Sequence, residues 1–156
     1  MTNSPSSASS PNKPPHRPLS ASALPFDLRV RYSETDQMGI AHNKAYLDWF
    51  ELGRTEFCRR QGLSYKAIEA RGHYLVVVEA FCRYKKPLRY DDPFVVWTSI
   101  REITPKKVAF GYELRTPDRK VLIAEGHTVH IAVDRSGTVA PLPDDILEKI
   151  SAPVGG

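Results

Sequence analysis

The sequence predicts an α+β domain in which one antiparallel sheet of five strands wraps around a single long helix. Three observations carry this. A period-two segment begins near Phe26, a helix-period segment of unusual apolar breadth follows it, and the chain from Tyr74 to Asp134 then returns to strand-like alternation. A sheet must bury one of its faces, and that helix is the large apolar partner on offer. With 156 residues, 41% of them hydrophobic, the chain has the length and composition of one domain with one core.

Residues 1–24 are rich in Ser and Pro, contain no Asp or Glu, and lack the apolar stretch of a secretory signal. They read as a disordered tail ahead of a domain spanning 25–150. An acid-poor, Ser-rich composition also marks organelle transit segments, but Lys13 and Arg17 are the only basic residues here. The first strand, "FDLRVRYS", sets Phe26, Leu28, Val30 and Tyr32 on one face. A turn over 34–42 leads into the helix, where Tyr46, Trp49, Phe50, Gly53 and Phe57 recur at helical spacing. Arg59 and Arg60 complement the helix's C-terminal dipole and Gly62 supplies its stop. Leu47, Leu52 and Cys58 lie off the stripe, so the helix is expected to be enclosed by the rest of the domain.

A short helical piece is expected over Tyr65–Arg71. The strand "YLVVVEAFCRYKK" places Val76, Val78, Ala80, Cys82 and Tyr84 on one face. "FVVWTSIREI" and "KVAFGYEL" follow, joined across Thr104 and Pro105, and "KVLIAEGHTVHIAVD" runs from the turn at Thr116–Pro117–Asp118 to the turn at Arg135–Ser136–Gly137. Short connections favour antiparallel neighbours. "PDDILEKI" closes the domain as a helix started by Pro143 and its acidic first turn.

The formal charge is +4, from 22 Lys and Arg against 18 Asp and Glu, and the tail supplies two of those positive charges. The folded part is thus mildly basic, which suits a phosphate-bearing small molecule; no groove-reading motif points to nucleic acid. No apolar run is long enough to span a membrane. Cys58 and Cys82 show no CxxC or metal-ligand spacing and read as buried thiols in a reducing compartment, the cytoplasm.

The turn before the long helix is the candidate site of chemistry. Gly39 permits a positive φ and a close backbone approach, and Asn43 is suited to cap the helix. A helix start offers unpaired amide donors, the outline of an oxyanion hole, and Asp36 lies on the same loop, where a carboxylate can hold a water or attack directly. On spacing alone an Asp there is more often a turn residue or dipole partner, and a His such as His42 more often a turn or interface group than an acid–base catalyst.

The stretch "YSETDQMGIAHNKAYLDWFELGRTEF" resembles the 4-hydroxybenzoyl-CoA thioesterase family of hotdog-fold enzymes, in which a T-D-x-x-G segment leads into an N-x-x-Y-x-x-[WF]-[FL]-E-x-[AG]-R helix. "VVVEAFCRYKKPLRYDDPFVV" resembles that family's second strand and the turn into its third. The resemblance implies a hotdog fold and hydrolysis of an acyl-CoA thioester, with neither cofactor nor metal. It implies a homodimer or homotetramer with sites at the subunit boundary. Asp36 would be nucleophile or general base, the Asn43 amide would face the thioester carbonyl, and Tyr46, Gly39 and the partner's Val77 would line the acyl site. Arg101, Lys106 and Lys107 would meet the coenzyme A phosphates. The pair His42–Asn43 departs from the family pattern, which leaves His42 a secondary candidate. Glu51 is expected to pair with Arg54 or an interface group. The rivals are an enoyl-thioester hydratase or dehydratase, whose signatures are missing, and a non-enzymatic acyl-thioester binding module that docks on an acyl carrier protein as partner through basic residues such as Lys85, Lys86 and Arg89.

Overall fold

The computed structural model describes residues 22–154, so the tail reading falls almost wholly outside the described residues. In chain order the elements are β1 (Leu24–Arg29), α1 (Asn43–Arg60), α2 (Tyr65–Ala70), β2 (Tyr74–Tyr84), β3 (Pro93–Thr104), β4 (Lys107–Arg115), β5 (Leu122–Val133) and α3 (Asp144–Ser151). The five strands form one sheet, ordered β1-β3-β4-β5-β2, and every pairing is antiparallel.

All five residues of the anticipated stripe on α1 are buried: Tyr46, Trp49, Phe50, Gly53 and Phe57. Burying each of the four large side chains contributes on the order of 1.5–3 kcal/mol. They meet the inward positions of the sheet. Phe50 stacks on Tyr112 at 4.3 Å between ring centroids, and Phe57 meets Phe110 edge-on. Gly53 has a steric reason: a Cβ there would stand 2.6 Å from Thr98 Oγ1 and 2.8 Å from Val96 Cγ1, so the helix presses directly onto β3.

Four expectations need correction. The enclosed helix is open on one side, with Leu47 and Leu52 about two-fifths exposed, because a single sheet covers a single face. Tyr32 is exposed rather than inward, since β1 ends at Arg29 and a 3₁₀ turn over Tyr32–Glu34 rotates the chain. The alternation of β2 breaks at Val78, where a bulge lies between Val77 and Glu79. Finally, the short connection from β2 to β3 does not join neighbours: β2 pairs with β5, and β1 with β3.

That last difference positions the site. Residues 85–92 have to cross from one edge strand of the sheet to the far side of β4 and β5. On the way they bond the segment that precedes α1: Ala41 N–H donates to Leu88 O (2.8 Å), Ile40 bridges Arg89, and Val30 exchanges bonds with Asp91 and Asp92. Among the described residues no helix is long and apolar enough to cross a membrane.

Candidate active site

Residues 34–42 leave the core and return to it. Thr35 bridges Ala41, Asp36 N–H donates to Ile40 O (2.9 Å), and Gly39 N–H donates to Asp36 O (3.0 Å) with Gly39 at φ +77°. Only a residue that tolerates this conformation closes such a turn without strain. Asp36 Oδ1 accepts from the amides of Met38 (2.8 Å) and Ile40 (3.1 Å), an Asx-type turn. The carboxylate is exposed in the single chain.

The helix start differs from the expectation by one residue. His42 is the N-cap, with extended backbone at φ −80°, ψ 159°, and Asn43 is the first helical residue. Asn43 therefore does not cap, and the His42 side chain makes no capping bond either. The first-turn amides are left without a side-chain acceptor from the cap, which preserves the donor character of this end.

Asn43 lines a cleft of about 240 Å³ together with Ile40, Ala41 and Tyr46 on one wall and Tyr84, Lys85, Lys86 and Pro87 on the other. The second wall is the end of β2 and the start of its crossover. Tyr46 and Tyr84 meet edge-on at 4.8 Å. Burial, with Cys82 and Tyr84 nearby, pushes the Tyr46 phenol up to about 12, so it stays a neutral hydroxyl at any working pH. Asp36 is joined to this cleft through Ile40, to which it is bonded twice. A larger hollow of about 490 Å³ runs along β1 and β3 beside Asp27, Arg29 and Pro117, and it contains none of the loop or helix-start residues.

The other expected residues are dispersed. Val77 is on edge strand β2, 45% exposed, opposite His130 in the register. Lys106 and Lys107 stand at the β3–β4 turn, Lys107 opposite Ile131 and so at the end of the sheet remote from Tyr84, while Arg101 precedes that turn on β3, at a bulge beside Gly111; Lys107 pairs with Glu102 at 3.0 Å. Within one chain they do not join the cleft, because antiparallel pairing sends β2's far end there instead. Glu51 reaches Arg54 at 4.0 Å. Sequence reasoning missed Lys85 and Lys86 as cleft residues. It also missed Glu34, which is buried at the base of the loop: the 3₁₀ turn that swings Tyr32 outward turns Glu34 inward, and no period in the sequence marks that rotation.

The thioesterase-like superfamily model matches residues 30–150. The Bacillus subtilis protein named "Putative acyl-CoA thioesterase YneP" is 38% identical over 109 residues, covering 70% of this chain and 78% of that one. The acyl-CoA thioester hydrolase YbgC of Escherichia coli O6:H1 is 27% identical over 109 residues, covering 70% and 81%. Among solved structures, a hypothetical protein from Aquifex aeolicus superposes with a TM-score of 0.77 at 34% identity, covering 81% of this chain and 98% of the other.

Proposed function

The chain belongs to the thioesterase-like superfamily, with its hotdog fold, and from that membership we propose that it hydrolyses an acyl-CoA thioester to a free acid and coenzyme A. The observation that carries the reading is the cleft at the start of α1, bounded by a loop whose Asp36 is bonded to the cleft-lining Ile40. The thioester carbonyl sits against the first-turn amides, with the Asn43 N–H as donor to the developing oxyanion; one such donor contributes about 3 kcal/mol to the transition state. From the loop side, the Asp36 carboxylate either attacks the carbonyl carbon or takes a proton from the attacking water. The thiolate leaves without acid assistance, so His42 has only an orienting role. Tyr46 and Gly39 shape the acyl side. Lys85 and Lys86, on the opposite wall, face the phosphate-bearing end of the substrate.

The working unit is a homodimer or a pair of dimers. β2 is a long free edge whose Val76, Val77, Val78 and Phe81 are all about two-fifths or more exposed, the kind of edge that chains cover by pairing. Antiparallel pairing of β2 with a second copy brings that copy's β3–β4 turn to the cleft end of this sheet. Arg101, Lys106 and Lys107 then serve the partner's site, as Val77 does. The cytoplasm suits the two free thiols, Cys58 and Cys82.

The test is thiol release from short, long, branched and aromatic acyl-CoA substrates, with acyl-carrier-protein thioesters as a second arm. Asp36→Asn should lower kcat by roughly 10²–10⁴-fold with fold and assembly intact. Near-normal hydrolysis by that variant refutes the assignment.

A further inference from the structure

We infer that Glu34 is the positioning residue of the active-site loop, holding Asp36 in register with the start of α1 through Trp49; this rests on the reading of Asp36 given above. Glu34 is 5% exposed, and both its oxygens are engaged. Oε1 accepts from the Arg31 amide at 2.7 Å; Oε2 accepts from Trp49 Nε1 at 3.0 Å and from the Arg31 guanidinium at 3.3 Å. Its main chain is tied as well, the Glu34 carbonyl accepting from His42 N–H at 2.9 Å.

One residue thus grips the helix twice, by its side chain at Trp49 and by its backbone at the N-cap. Asp36 lies two residues beyond, on an exposed turn whose side-chain bonds are local, while the returning limb of the loop is tied to the crossover, Ala41 N–H donating to Leu88 O and Ile40 bridging Arg89. Those ties anchor the returning limb, and the outgoing limb that carries Asp36 is placed over the helix from its own base. The base of the outgoing limb is Glu34. Trp49 extends the grip to the cleft wall: it is 1% exposed, packs edge-on to Tyr46 at 4.9 Å, and lies on Phe94 at 4.6 Å. A buried carboxylate costs desolvation that an apolar side chain of the same volume would not, so stability alone is a poor reason for one here. The geometry supplies another reason, since a misplacement of about 1 Å at a reacting group costs on the order of 10²-fold in rate.

Glu34→Gln keeps the volume but turns an amide NH₂ toward donors, so the loop base must shift. The expected result is a kcat lower by roughly 10–100-fold, with KM changed less than about threefold and the circular dichroism spectrum retained. Because Glu34 acts through Asp36, Glu34→Gln added to Asp36→Asn should lower the residual turnover no further. Trp49→Phe removes the indole donor, keeps the ring, and should reproduce the kcat loss; it carries the test if Glu34→Gln does not fold. A merely structural role would lower Tm while leaving kcat per folded site unchanged, or would multiply with the Asp36→Asn loss, and either result overturns the inference. Asp36→Asn turning over like the parent overturns the reading of Asp36 itself, and the role of Glu34 with it. Asp36→Asn inactive with Glu34→Gln at parental kcat overturns the role of Glu34 alone.

Discussion

Lowering the pH from 7 to 4 should remove about 3 kcal/mol of folding stability through one side chain, His130. His130 is 1% exposed on the inner face of β5. Its Nε2 shares a hydrogen bond with Thr128 Oγ1 (2.9 Å), which in turn meets Tyr112 Oη (2.6 Å), and the edge of its ring faces Phe110. Its Nδ1 is buried with no partner. Protonation would add a second N–H donor where no acceptor waits, in an apolar site and beside the Arg54 cation. Burial first, and Arg54 second, therefore pull its pKa from 6.5 to about 4. Between those values the unfolded chain takes up a proton that the folded chain refuses. Stability is then full above about pH 6.5 and falls as pH drops toward 4. The size follows from the two pKa values, at about 1.4 kcal/mol for each tenfold change in proton affinity. Asp118, Asp134 and Asp145, held below the usual carboxylate range by hydrogen bonds from Thr116, Ser136 and Arg71, respond only at lower pH. The assay is urea unfolding at half-unit pH steps, with the His130 ring protons followed by NMR. His130→Gln, which retains a polar atom for Thr128 and does not titrate, should flatten the slope. An unchanged slope in that variant, or an NMR pKa near 6.5 in the folded parent, would refute the reasoning.

Two further outcomes follow from the packing. Gly53→Ala gains up to about 1 kcal/mol of helix propensity but drives a methyl into Val96 and Thr98, both stiff at χ1, for a net loss of about 1–2 kcal/mol in urea titration; a neutral or stabilising result would mean that α1 does not press on β3. Val78→Lys, at the bulge of the free edge strand, should weaken self-association at least about tenfold in sedimentation equilibrium. A parent that sediments as a monomer at every concentration would remove the basis for a shared site.

Much of this architecture is written locally along the chain. The stripe from Tyr46 to Phe57, the stop at Gly62, the positive φ at Gly39 and the Pro143 start of α3 each depend on residues a few positions apart, so periodicity and turn chemistry exposed them. The loop holding Asp36 ahead of a helix was legible for the same reason. Strand order was not: pairing β2 with β5 depends on contacts between residues such as Tyr84 and Ala124, and such long-range pairings leave no period in the sequence. That order sends residues 85–92 across the helix start and so makes Tyr84, Lys85 and Lys86 a wall of the cleft, while carrying Lys106 and Lys107 to the opposite end. Glu34 and Trp49 are fifteen residues apart. A carboxylate and an indole that far apart became hydrogen-bond partners only when the core closed around both, because burial, unlike periodicity, is a property of the whole packed chain.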